Sequence, residues 1–169
     1  MPSLNEGDAG RPEEQGAQRS LVEIRLRPMT AADLDRVEAI ERASFTNPWK
    51  KRTFRNLLGR DGTELWVAEL PDGGIAGYLV LWFAADEGEL ADLAVAERYR
   101  GRGLGAHLLD HAVELARSRG VGSLFLEVRF SNKKAEELYR SRGFQVVTVR
   151  HEYYREPTED ALVMLKSLW

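Results

Sequence analysis

The chain has 169 residues, 43% of them hydrophobic, a formal net charge of −3 and no cysteine. That length fits one globular domain with a proper core, and the missing cysteine excludes disulfides, thiolate metal sites and an acyl-cysteine intermediate. The charge balance gives no reason to expect nucleic acid or a membrane surface as partner, and no apolar run reaches the length of a membrane span.

Residues 1–20 are rich in Gly, Pro, Glu and Gln, with hardly any large apolar side chains, and read as a disordered tail preceding a single domain over 21–169. The start lacks the basic and apolar stretches of a secretory signal, so a cytoplasmic protein is expected. Val22 to Arg27 alternates as a strand. Thr30 with Asp33 forms a capping box for a helix carrying Leu34, Val37 and Ile40, stopped by Asn47-Pro48. A short helix is predicted from Lys50 to Leu58, closed by Gly59. Strands Leu65 to Leu70 and Ile75 to Phe83 flank the turn Pro71-Asp72-Gly73-Gly74.

Glu89 to Val95 is the next strand, then a helix from Leu104 to about Arg119 with Gly120 as its stop. Leu124 to Val128 follows as a fifth strand. Asn132 opens a short helix through Tyr139 that Gly143 closes. Phe144 to Val149 and Ala161 to Leu165 read as an antiparallel pair. The sum is a mixed α/β domain without internal repeats.

Between the fourth strand and the long helix stands Arg100-Gly101-Arg102-Gly103-Leu104-Gly105. Its glycines let the backbone turn tightly and aim N–H groups at a ligand, while the helix start adds unpaired donors and a positive dipole end. Two arginines supply fixed positive charge. The segment therefore reads as an anion cradle. A dinucleotide fingerprint is the rival, since Gly101, Gly103 and Ala106 fit G-x-G-x-x-A and Glu127 follows about 20 residues on. That fold needs its loop after the first strand and several βα units afterwards, which this chain lacks room for.

Two further signals point less far. His107 and His111 lie one helical turn apart, but Leu fills the position where a zincin needs glutamate, so surface histidines and no metal are expected. Asp86, Glu87, Glu89 and Asp92 read as a solvated acidic edge, with weak attraction for a basic peptide as a second possibility.

The order of motifs resembles the GNAT superfamily of acyl-CoA-dependent N-acetyltransferases over about residues 22 to 165. Pro48-Trp49, Leu126-Glu127-Val128-Arg129 with Ser131-Asn132, Leu138-Tyr139, Gly143-Phe144, Arg150-x-x-Tyr153-Tyr154 and Glu159-Asp160-Ala161 resemble its RimI-type ribosomal-protein N-terminal alanine acetyltransferases. The resemblance implies a mostly antiparallel central sheet of about seven strands flanked by about four helices. It implies acetyl-CoA as co-substrate, its pantetheine paired like an added strand with Leu93, Ala94 and Val95, and its pyrophosphate on Arg100, Gly101, Arg102, Gly103, Leu104 and Gly105. One backbone N–H of that strand would polarise the thioester carbonyl.

Glu127 matches the family's proton acceptor, which a partly protonated α-amine of pKa about 7.7–8 requires. From spacing alone it serves equally as a partner for Arg129. Tyr139 matches the general acid for the departing sulfur, or packs with Leu138 and Phe144. Asn132 caps its helix and, by resemblance, bonds the pantetheine. His151, Tyr153 and Tyr154 lie where they could shape the acceptor pocket, with core packing as the alternative for the two tyrosines. The implied acceptor is a protein N-terminus, most simply the N-terminal alanine of a small-subunit ribosomal protein, with the enzyme a monomer or weak dimer. A lysine or small-amine acetyltransferase and a non-catalytic acyl-CoA sensor are the alternatives.

Overall fold

The computed structural model describes residues 23–169, so the expected tail and Val22 lie outside the described residues. Seven strands form one sheet in the order β1-β2-β3-β4-β5-β7-β6. They are β1 (Arg25–Pro28), β2 (Thr63–Glu69), β3 (Ile75–Ala84), β4 (Glu87–Val95), β5 (Ser123–Arg129), β6 (Gln145–Tyr154) and β7 (Glu159–Ser167). Four helices accompany them: α1 (Leu34–Ser44), α2 (Lys51–Leu57), α3 (Leu104–Ser118) and α4 (Lys133–Ser141). This is the mostly antiparallel sheet and helix count expected from the sequence.

The capping box forms with a further partner. The Thr30 N–H donates to Asp33 Oδ2 at 2.8 Å, and both Arg27 Nη atoms reach the same carboxylate at 2.8 Å. That guanidinium holds the Asp33 carboxyl below its ordinary range and ties β1 to the start of α1. The last two strands run longer than predicted because Arg150 to Tyr154 is mostly exposed and carries no apolar alternation to reveal it.

The sheet is covered on both faces, as the apolar run of β3 requires. Leu104, Leu108, Leu109 and Ala112 of α3 pack against Leu79, Leu81, Leu124 and Leu126. Leu34, Val37 and Ile40 of α1, with Phe54 of α2, pack against Val67, Tyr78 and Val80.

One interruption in the sheet positions the site. The parallel pairing of β4 with β5 extends over Glu87–Glu89 opposite Ser123–Phe125 and no further. Ala91 is an extra residue in β4, since Val80 and Leu81 face Asp92 and Leu90. A bulge of this kind bends its strand. Beyond it β4 follows β3, while β5 follows β7 to Arg129, and the sheet splays open.

Candidate active site

The splay opens a cleft of about 740 Å³. One wall is the end of β4 with the glycine loop and the start of α3; the other is β5 with α4. The segment between α1 and α2 and Tyr154 of β6 complete the lining.

At the loop, Gly101 and Gly103 take φ of +75° and +83°, a region that side chains enter only with strain. Those turns leave the N–H groups of Gly101 through Ala106 without an acceptor among the described residues. Six free donors at the head of a 15-residue helix are the feature that an anion cradle requires. The two arginines behave differently from expectation. Arg100 Nε donates to Val95 O at 2.8 Å and its Nη2 to Ser44 Oγ at 3.0 Å, while its N–H is spent on Glu97 O. Arg100 thus ties β4 to α1 instead of facing the loop with that charge. Arg102 is exposed and does not line the cleft.

Along β4, the Ala96 N–H donates to Ala76 O at 2.8 Å. Ladder alternation from that pair, in the register Ala94 to Tyr78, turns the peptide groups of Ala94 toward β3 and those of Leu93 and Val95 toward the splay. Of the three residues expected to bind pantetheine through backbone, Ala94 has its N–H and C=O committed to the ladder. Leu93 and Val95 present the free edge, with Val95 O shared with Arg100.

Glu127 projects from β5 to the face that α1 and α2 cover. Its side chain is 14% exposed, and Oε1 lies 2.8 Å from Arg150 Nη1. Its ion-pair partner is therefore Arg150 of β6, not Arg129. The Tyr153 hydroxyl also hydrogen-bonds Glu127, which raises that phenol above its ordinary value. Tyr139 lines the opposite wall from α4 and meets Phe144 edge-on at 6.0 Å, so the packing role holds together with a position at the cleft. Burial, with the Asp92 charge adding to it, pushes its hydroxyl up to about 12. Asn132 caps α4, its Oδ1 accepting from the Ala135 N–H at 3.3 Å, and lines the same cleft.

Three residues escaped sequence reasoning. Arg129, at the end of β5, donates to Thr46 Oγ1 (2.9 Å), Arg155 O (3.0 Å) and Pro157 O (3.1 Å), pairs with Glu159 (3.2 Å), and lies over the Tyr154 ring at 4.4 Å. It joins the α1–α2 segment to the β6–β7 turn beside the cleft. Glu41 and Asp92 are buried in the α1-side wall. The solvated-edge reading fails for Asp92, because the bulge turns it inward, and for half-buried Glu89, which accepts a hydrogen bond from Trp82 Nε1. Only Pro48-Trp49 hinted at this wall: the Trp49 N–H donates to Glu41 Oε1 at 2.9 Å, and its ring stacks on Trp82 at 5.9 Å.

Among the described residues no cluster of His, Cys, Asp and Glu has the arrangement of a metal site, and no helix is long and apolar enough to cross a membrane. His107 is exposed as expected. His111 is partly buried; it packs edge-on against Trp66 at 4.4 Å, and burial lowers its basicity. His151 is exposed beside Asp160, away from the cleft lining.

Comparison with known proteins agrees with this geometry. The family model described as Acetyltransferase (GNAT) family matches residues 34–144. A Bacillus subtilis (strain 168) protein, provisionally named a ribosomal protein bS18-alanine N-acetyltransferase, is 38% identical over 139 residues, 82% of this chain and 92% of its own length. The Escherichia coli (strain K12) ribosomal protein bS18-alanine N-acetyltransferase is 34% identical over 138 residues, 80% of this chain and 92% of its own. The crystal structure of the Escherichia coli ribosomal-protein-S18-alanine N-acetyltransferase superposes with a TM-score of 0.79 at 31% identity, covering 86% of this chain and 94% of that one. The chain belongs to the GNAT family and is an N-acetyltransferase.

Proposed function

We propose that the protein transfers the acetyl group of acetyl-CoA directly to the α-amine of an N-terminal alanine on a ribosomal protein of the bS18 kind. The observation that carries this reading is one cleft lined by Gly101 and by Gly103 to Ala106, five residues with unpaired N–H groups, together with an open β4 edge, a carboxylate and a phenol. The relatives' names supply the acceptor.

The N–H groups of Gly101 to Ala106 hold the diphosphate of the co-substrate. Leu93 and Val95 pair with its pantetheine arm, and Asn132 bonds it from α4. This supports a ternary complex, since no cysteine is present to carry the acetyl group. Glu127 takes the amine proton, directly or through water, and the freed lone pair attacks the thioester carbonyl. A β4 N–H facing the splay bonds the oxyanion of the tetrahedral intermediate. Its collapse breaks the C–S bond, and the nitrogen gives up its second proton to water to become the neutral amide. Tyr139, which keeps its proton at working pH, donates a hydrogen bond to the leaving sulfur. Because burial makes the phenol a weaker acid than a thiol, its work is to stabilise the developing thiolate through that hydrogen bond while keeping its own proton, and CoA departs as the thiolate to take its proton from solvent.

The test is incubation with acetyl-CoA and peptides that begin with Ala, Ser or Met or carry an internal Lys, followed by mass-spectrometric location of the acetyl group. Acetylation of the alanine α-amine is expected. Modification of lysine alone moves the protein to the side-chain class, and acetyl-CoA binding without transfer to any amine makes it a sensor.

A further inference from the structure

Glu127 is held from behind by two residues of β6. Glu127 lines the cleft, whereas Arg150 and Tyr153 do not. Arg150 Nη1 lies 2.8 Å from Glu127 Oε1, the Tyr153 hydroxyl hydrogen-bonds the same carboxylate, and the guanidinium stands 5.0 Å from the Tyr153 ring centroid. Among the described residues Arg150 is the one ion-pair partner of Glu127.

The backbone of β6 departs from a regular strand to bring both residues there. Residues three apart on a regular strand face opposite sides of the sheet, which would part Tyr153 from Arg150. Between Arg150 and Tyr154, however, β6 takes four residues to cover what β7 covers in two, from Ala161 to Glu159. Within that bulge Glu152 adopts φ of +50°, a strained conformation for a residue with a Cβ, and its N–H donates to Asp160 Oδ1 at 2.8 Å. Strain of this kind persists only where surrounding contacts fix it, and it gathers at functional sites.

Charge gives a second reason for the arrangement. Glu89 of β4 stands near the same carboxylate: burial raises the Glu89 carboxyl above its ordinary range against the Trp82 hydrogen bond, the Glu127 charge adds to that rise, and the Arg150 charge opposes it. Two carboxylates that sense each other repel, and Arg150 is the cation that both of them sense.

We propose that Arg150 is a positioning residue for the acetyl transfer: with Tyr153 it holds the Glu127 carboxylate toward the cleft and offsets the repulsion from Glu89, so that the proton acceptor meets the incoming amine in one fixed orientation. This deepens the functional reading and rests on its assignment of Glu127 as the proton acceptor. Arg150 itself touches no reacting atom. Because its side chain is 53% exposed, the ion pair adds little to fold stability, and its removal is read in turnover and not in melting.

The experiment is a double-mutant cycle in the full chain. It measures kcat, peptide KM, acetyl-CoA affinity and Tm for the wild type, Arg150→Met, Glu127→Gln and the double variant, with Arg150→Lys as the conservative change. Peptides that begin with alanine and peptides that carry an internal lysine are both assayed, and the cycle is run on the acceptor that the wild type acetylates. Arg150→Met is expected to lower kcat roughly 10- to 100-fold, as for a misplaced reacting group, with acetyl-CoA affinity and peptide KM within about 3-fold and Tm within about 4 °C. In the Glu127→Gln background the same change alters kcat by less than about 2-fold, since an amide takes no proton however it is held. Arg150→Lys, which keeps the charge, restores kcat to within about 5-fold of wild type. Should the methionine variant not fold, Arg150→Gln takes its place. Equal losses in both backgrounds, a lysine variant as slow as the methionine one, or unchanged kcat in Arg150→Met overturns the proposal. Any of these with transfer to alanine overturns the positioning role and leaves the function standing. Transfer to lysine alone, with the expected cycle, does the reverse. Wild-type turnover in Glu127→Gln removes the proton acceptor and the role of Arg150 with it.

Discussion

The two sides of the cleft use different chemistry. On the side proposed for the co-substrate the available groups belong to the backbone: the six N–H groups from Gly101 to Ala106 remain unpaired, as does the Leu93 edge of β4. On the acceptor side they are side chains, nearly all engaged: Glu127 with Arg150 and Tyr153, Glu41 with Tyr78 and Trp49, Arg129 with Thr46 and Glu159. A flexible thioester arm can be gripped by repeating amides that any sequence provides once its backbone is shaped. Choosing and activating one amine needs particular side chains held at particular places.

This division is sharpened most by removing the proposed base. Glu127→Gln keeps the shape and the Tyr153 contact while abolishing proton uptake, so kcat is expected to fall by roughly 10²- to 10⁴-fold, with acetyl-CoA affinity unchanged in direct titration. Retention of wild-type turnover would place the proton acceptor elsewhere on the acceptor side. Tyr139→Phe comes next. Loss of a hydrogen bond to a developing thiolate predicts a drop of roughly 10- to 100-fold in kcat, again with little change in co-substrate affinity. A smaller kcat loss accompanied by weakened acetyl-CoA binding would instead identify packing on Phe144 as the phenol's main task.

The same division explains what the sequence made legible. The cradle is local: Gly101, Gly103 and the helix start lie within a few residues, and their spacing alone predicts a turn with free donors. Glu127, Tyr139 and Asn132 were reached through a family pattern, and all three line the cleft. What escaped depends on contacts remote in sequence. Arg129 reaches Thr46 across 83 positions, and Tyr78 meets Glu41 across 37. Asp92 looked like one more charge in an acidic run because only a one-residue bulge against β3 decides which way it faces. Arg100 illustrates the reverse error, since its place in the motif suggested a phosphate ligand and its side chain became a strut to Ser44.

The backbone side can be tested by changing shape without removing any N–H. In Gly103→Val the new side chain must adopt φ near +83°, at a cost of at least about 1–2 kcal/mol for a residue with a Cβ. The loop relaxes when empty and must be forced back to bind, so acetyl-CoA affinity is expected to fall about 10-fold, with kcat at saturation within about 3-fold. Unchanged affinity in calorimetry would mean that the unpaired donors do not form the cradle.

The smallest effect tests what the acceptor side costs the fold. Asp92 is raised above its unfolded value, so the folded protein holds that proton more tightly than the unfolded chain does. The associated stability is fully present below the unfolded value of about 3.9 and is lost as pH rises through the raised folded value. Asp92→Asn has no proton to lose there. Its Tm should match the wild type near pH 4 and exceed it progressively at higher pH, levelling at a difference on the order of 2–12 °C, from roughly 1–3 kcal/mol for an unmatched buried group and 2–4 °C per kcal/mol in a domain this size. Glu41, Tyr78 and Tyr139 surround the same carboxyl and remain in both proteins, so the difference between the two melting curves reports Asp92 together with its hydrogen-bonded neighbour Glu41. A gap independent of pH would mean that Asp92 titrates alike in the folded and unfolded chain.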